Sequence, residues 1–107
     1  MQNINRFDIW VVQLDPTVGT EIKKTRPCVV ISPDEMAPLS TVLVAPMTRQ
    51  GFKFPMRVPC TFQGKNGLIL LDQIRAVDKT RLIAKKGTLT QTTQVALCKR
   101  LQEIFAY

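Results

Sequence analysis

F-D-I-W-V-V-Q-L, residues 7–14, is aromatic and β-branched along its length. Such side chains suit a pleated strand, and their apolar density predicts one buried on much of both faces. Outward from this stretch the chain keeps the same character. D-P-T-V-G-T-E-I-K-K-T (15–25) reads as a loop broken by Pro16 and Gly19. C-V-V-I-S (28–32) predicts a second buried strand, and Pro27 pushes Arg26 into an extended conformation ahead of it. S-T-V-L-V-A-P-M-T (40–48) predicts a third, with Pro46 marking an edge, a bulge or a strand terminus. F-P-M-R-V (54–58) predicts a fourth, edge-like strand, Q-G-K-N-G (63–67) a turn, and L-I-L-L-D-Q-I-R-A-V (68–77) a fifth strand with room for a break. D-K-T-R (78–81) reads as a tight turn and L-I-A-K-K-G-T-L (82–89) as a short last strand.

The period changes at Thr90. Apolar residues fall at Leu97, Leu101, Ile104 and Phe105, with Val95 and Cys98 beside them, while Lys99, Arg100, Gln102 and Glu103 fall elsewhere. That spacing predicts an amphipathic helix of about four turns, capped by the Thr90 or Thr92 hydroxyl. Its simplest role is a lid over one open face of a small barrel. A partner-binding helix is the alternative. With 107 residues and no repeat, low-complexity tract or linker, the expectation is a single domain over 1–107. No apolar run approaches the roughly 20 residues of a membrane helix, and M-Q-N-I-N-R-F-D lacks a signal-peptide pattern. The expected location is therefore cytoplasmic, with no membrane partner.

Two absences narrow the chemistry. The chain has no histidine, which removes His-based triads and zinc sites with His ligands. Cys28, Cys60 and Cys98 are odd in number and far apart, so neither a disulfide framework nor a sulfur metal site fits. Cys28 and Cys98 read as small core hydrophobes. No cofactor or metal is expected, and any reaction falls to Arg, Lys, Asp, Glu, Thr, Ser or the backbone.

The net charge is +7, unevenly spread: residues 1–40 carry four Lys/Arg against five Asp/Glu, and residues 41–107 eleven against three. That balance favours a phosphate polyanion or an acidic protein as partner. Stacking platforms for single strands need exposed aromatics. Phe7, Trp10 and Phe105 read as core, leaving Phe52, Phe54 and Phe62 near turns, a thin platform for binding alone. Metal-free RNA cleavage is the other option, because the substrate supplies its own 2′-OH nucleophile. The enzyme then holds the nucleotide in line and stabilises phosphorane charge. An Arg fork and a Thr hydroxyl suit that work, and Arg26 and Thr48 each stand at a loop–strand junction.

D-P-T-V-G-T-E (15–21), K-T-R-P-C-V-V-I-S (24–32), A-P-M-T (45–48), L-L-D-Q-I-R-A-V-D-K-T-R-L (70–82) and K-G-T-L (86–89) together resemble the MazF/PemK toxin family. The resemblance runs in order from about Phe7 to the C-terminal helix. It implies a mainly β, barrel-like fold with a small SH3-like core and a C-terminal helix, working as a homodimer. It implies a toxin of a type II toxin–antitoxin system that cuts single-stranded RNA at specific sequences without metal, leaving a 2′,3′-cyclic phosphate and a 5′-hydroxyl. It also implies an antitoxin whose acidic C-terminal tail occupies the RNA groove.

Carried onto this chain, the resemblance makes Arg26, Thr48 and Glu21 the catalytic group. A guanidinium stays charged at neutral pH and is a poor base, so Arg26 is assigned to phosphorane stabilisation and proton donation. Thr48 orients the phosphoryl group, and Glu21 is either base for the 2′-OH or orienter of Arg26. In the Kid branch a later Asp does acid–base work with an Arg two positions before it. Asp72 matches that Asp, but Leu70 holds the Arg position and the branch's His has no counterpart, so the Arg26/Thr48 pair is preferred and Asp72 is placed among the RNA contacts. Lys24, Arg49, Lys79 and Arg81 are further phosphate candidates, with Lys23, Lys53, Lys85 and Lys86 behind them. Gln50 and Gln73 are candidate base readers. The competing readings are a CcdB-like gyrase poison and a non-catalytic nucleic-acid-binding module.

Overall fold

The strand Thr41–Thr48 (β3) organises the molecule. In a computed structural model that describes residues 3–16, 18, 19, 21, 24–49 and 54–106, it lies between β1 (Asp8–Gln13) and β2 (Thr25–Val30) on one side and β4 (Arg57–Phe62), β5 (Lys65–Leu70) and β6 (Arg75–Asp78) on the other. β7 (Leu82–Thr88) and α1 (Gln91–Phe105) complete the chain. The sheet order is β4-β5-β3-β2-β1-β7, with β6 also on β3, and every pairing is antiparallel. Along one edge β3 changes partner, pairing with β6 over Thr41–Val44 and with β5 at Met47 and Thr48. That exchange curls the sheet into a half-barrel, and the β, barrel-like expectation holds.

Pro46 sits in the exchange. It is fully buried in a central strand, not at an edge, and a missing N–H is tolerated there because the β6 ladder has ended and the β5 ladder begins at Met47. The expected irregularity is thus the handover itself.

Side-chain alternation gives the sheet two apolar faces. Ile9, Val29, Ala45 and Met47 join one cluster, and Trp10, Val12, Cys28, Val30, Val42 and Val44 the other. This explains why 7–14 reads as buried on both sides. α1 covers the first cluster through Leu97, with Leu101 and Ile104 beside it. Thr90 is the cap: its Oγ1 accepts the Thr93 N–H at 3.4 Å. Phe105, expected in the core, is 75% exposed, and Val95 is exposed too, so the helix buries a narrower stripe than its composition suggests. Cys98 is half-buried. No helix is long and apolar enough to cross a membrane among the described residues.

Several boundaries differ from the sequence reading, among them the second strand, which runs Thr25–Val30 and not 28–32, so that Arg26 lies within it. The fourth strand starts at Arg57, not at 54, because Pro55 cannot donate to a ladder and Phe54–Met56 turns instead, with the Arg57 N–H reaching the Phe54 carbonyl at 2.8 Å. The 63–67 turn shrinks to Gln63 and Gly64, both with positive φ (52° and 76°), and β5 begins at Lys65. That is the signature of a two-residue type I′ hairpin. The break within 68–77 is a 3₁₀ turn at Leu71–Gln73.

Candidate functional site

β2 and β3 set the register of the site. Cys28 pairs with Pro46, and two more residues of the same alignment place Arg26 opposite Thr48. Both line one cleft of about 540 Å³. Val11, Pro27, Met47 and Cys60 supply apolar lining, and Phe62, Gln63 and Asn66 enter from the β4–β5 hairpin. Arg49, Lys65 and Lys86 add three cations to Arg26, and no carboxylate lines the cleft among the described residues. Four positive charges around one concavity attract a phosphate chain. Thr48 is half-buried and Arg26 exposed.

Gly67 fixes the back of this cleft. A Cβ on it would stand 2.9 Å from the Thr48 carbonyl oxygen, so only glycine lets β5 approach β3 this closely.

The structure puts Glu21 elsewhere. It lines a neighbouring cavity of about 180 Å³ with Asp72, Gln73 and Arg75, and Pro46 forms part of that wall. Pro46 precedes Thr48 by two residues on one strand, so the cavity and the cleft adjoin along β3. The Glu21 carboxylate accepts the Val18 N–H at 2.6 Å and the Glu21 N–H returns to the Val18 carbonyl at 3.2 Å, which staples the loop before β2. Asp72 is held by Arg57 through two contacts, Nε to Oδ1 at 3.3 Å and Nη2 to Oδ2 at 3.2 Å. Arg57 therefore brings a guanidinium to Asp72 from β4, while Leu70 is buried.

The remaining candidates disperse. Lys79 Nζ donates to the Ala37 carbonyl at 2.6 Å, and Arg81 Nη1 to the Asp15 and Gln13 carbonyls at 2.6 and 3.2 Å. Neither lines the cleft. Lys24 is exposed in the left-handed region (φ 66°) just ahead of β2. Lys85 pairs with buried Asp8 at 3.4 Å. Gln73 is half-buried in the smaller cavity. Gln50, with Lys23, Phe52 and Lys53, lies outside the described residues.

Two cysteines, Cys28 and Cys60, stay protonated. Burial pushes the Cys28 thiol up to about 12, against a small opposing pull from Arg75. Burial also raises Cys60 beneath the cleft, so neither offers a thiolate nucleophile near neutral pH.

Sequence reasoning missed Lys65, Gln63 and Asn66 as cleft residues, because Q-G-K-N-G read as undivided turn. The signal was Gln63-Gly64 as a two-residue hairpin, which folds Lys65 and Asn66 back beside β3. Arg57 carried no sequence signal for its contact with Asp72.

Residues 5–105 match the family described as PemK-like, MazF-like toxin of type II toxin–antitoxin system. The chain is 36% identical over 83 residues to the endoribonuclease toxin MazF of Escherichia coli (strain K12), covering 76% of this chain and 74% of that protein. It is 34% identical over 99 residues to the endoribonuclease MazF of Staphylococcus epidermidis, covering 86% and 82%. The fold is similar to the crystal structure of MazF (Form-I) from Deinococcus radiodurans, with a TM-score of 0.83 at 19% identity over 97% of each chain. It is also similar to the Mycobacterium tuberculosis toxin MazF-mt6, with a TM-score of 0.75 at 22% identity over 92% of this chain and 95% of that one.

Proposed function

We propose that this chain, which belongs to the PemK-like, MazF-like toxin family of type II toxin–antitoxin systems, is an endoribonuclease that cuts single-stranded RNA by transesterification. One observation carries the reading: Arg26 and Thr48, on neighbouring strands, share a cleft with Arg49, Lys65 and Lys86 and with no described carboxylate. The phosphate chain lies along these cations. The 2′-oxygen attacks phosphorus, the P–O5′ bond breaks, and the products are a 2′,3′-cyclic phosphate and a 5′-hydroxyl. Arg26 stabilises the charge that builds on the phosphoryl oxygens, and Thr48 Oγ1 donates to one of them. The proton of the 2′-OH leaves to a base and the O5′ leaving group gains one. Glu21, across Pro46 from the cleft, serves as base or as the brace of the loop that presents Arg26.

The same cleft, cationic and open, suits the acidic C-terminal tail of a cognate antitoxin. The working protein is read as a homodimer of a single-domain chain in the cytoplasm, with no metal or cofactor. The test is incubation with a long single-stranded RNA in EDTA, with cut sites and end groups mapped. Recurrent cuts at one short sequence, with cyclic-phosphate ends, are expected. Intact RNA from folded, antitoxin-free protein would overturn the reading and turn attention to gyrase inhibition.

A further inference from the structure

We infer that the β4–β5 hairpin holds and reads a nucleotide, Phe62 stacking on one base and the Asn66 amide donating to the edge of a base at the rim. The inference rests on the reading of the cleft as a single-stranded RNA site.

The hairpin is a stiff presenter. Six consecutive residue pairs run from Arg57–Leu70 to Phe62–Lys65, closed by the Gln63-Gly64 turn. Side chains at its tip are therefore placed by a sheet and not by a mobile loop. Phe62, Gln63, Lys65 and Asn66 all reach the cleft that holds Arg26 and Thr48. Phe62 is half-buried, packed against the first apolar cluster and also lining the cleft, so the cluster holds a ring that the cleft still reaches. A fixed aromatic beside a lysine is the pairing that holds a base and its phosphate together.

Asn66 adds selectivity. It stands where the cleft meets a second groove that runs past Pro59 and Thr61. The Thr61 hydroxyl donates to Asn66 Oδ1 at 3.3 Å, so the amide oxygen is engaged. Its NH₂ makes no hydrogen bond among the described residues. Asn66 then offers two N–H donors against one remaining acceptor lone pair. At the position where uracil carries O4 and guanine O6, a donor meets an acceptor, whereas cytosine and adenine present an amine there. The rim position thus favours a keto base read at that edge.

The test uses two RNAs with the full-length protein. A random pool of 2′-fluoro RNA has no 2′-OH and reports binding alone. The unmodified pool reports cleavage. Wild type is expected to enrich U or G at one position about tenfold, and Asn66→Ala to lose that enrichment. Phe62→Leu should weaken binding to every sequence by about tenfold, and Phe62→Tyr should restore it. Thermal melts confirm that each variant is folded. No base enrichment by wild type, enrichment that persists in Asn66→Ala, or wild-type affinity in folded Phe62→Leu would each overturn the proposal. If the enrichment follows Asn66 but unmodified RNA stays intact, the nuclease reading fails and the hairpin site stands.

Discussion

Two basic regions sit on this sheet, and they use their charge differently. Around the cleft, Arg26, Arg49, Lys65 and Lys86 line an open concavity. Around the β6–β7 turn, Lys79 and Arg81 spend theirs on backbone carbonyls of residues more than 40 positions away in the chain. The first group makes the cleft electropositive. The second fastens loops, and Arg81 clamps the end of β1 to the loop that leads toward Arg26. A lysine or arginine in a sequence is silent about which it is; its hydrogen-bond partners decide.

Arg26 separates the two regions most sharply. Arg26→Ala removes the one group assigned to phosphorane charge, so cleavage should fall by about 10²–10³-fold or more while the melting temperature stays close to wild type. Single-turnover assays at saturating protein measure this. A variant that still cuts at wild-type rate would remove Arg26 from the chemistry. Next comes Gly67→Ala, at the back of the cleft. Its methyl would meet the Thr48 carbonyl at 2.9 Å and force β5 and β3 apart. A shift of about 1 Å in a positioned group can cost up to about 10²-fold, so cleavage should drop at least tenfold with Arg26 intact. Full activity in a folded Gly67→Ala protein would mean that Thr48 need not be held this tightly.

The two regions part on salt and stability. Arg81→Ala strips two carbonyls of a charged donor and should lower stability by about 1.5–3 kcal/mol in denaturant titrations, without changing the salt dependence of RNA binding. Lys86→Ala should do the reverse. Each phosphate contact in a single strand adds about −0.7 to the log–log slope of affinity against salt, so the slope should flatten by that amount while stability holds. If Arg81→Ala flattens the slope as well, the clamp residue also contacts RNA.

How much of this was legible follows from the same distinction. The strands at 7–14, 28–32 and 40–48 and the C-terminal helix were readable because periodicity and β-branching are local. Arg26 and Thr48 could be singled out because family motifs carry them. Lys65 and Asn66 were hidden in a turn whose register only pairing reveals. Glu21 was grouped with Arg26 by motif, yet its carboxylate bonds Val18 and its cavity contains Asp72. Phe105 reads as core yet is exposed, because helical spacing does not say how wide a stripe the sheet can cover. Partners 40 to 70 residues apart, such as Arg81 with Gln13, leave no trace in composition.

The smallest expected effect lies in the clamp region and depends on pH. Asp78 caps the turn that carries Lys79 and Arg81, accepting from the Thr80 N–H at 2.9 Å and the Thr80 hydroxyl at 2.8 Å. These bonds, with a lesser contribution from Arg81, hold its carboxyl below the usual carboxylate range. A depressed folded-state value means that the stabilisation is present above the unfolded value of about 4 and is lost as pH falls through the folded one. Asp78→Ala should therefore flatten the fall in melting temperature below about pH 4, lower stability slightly at neutral pH, and leave cleavage unchanged there. The carboxylate is solvent-exposed, which keeps the effect small. An acid limb identical to wild type would show that the cap adds nothing to the clamp. A loss of cleavage at neutral pH would tie the β6–β7 turn to the cleft and erase the division between the two basic regions.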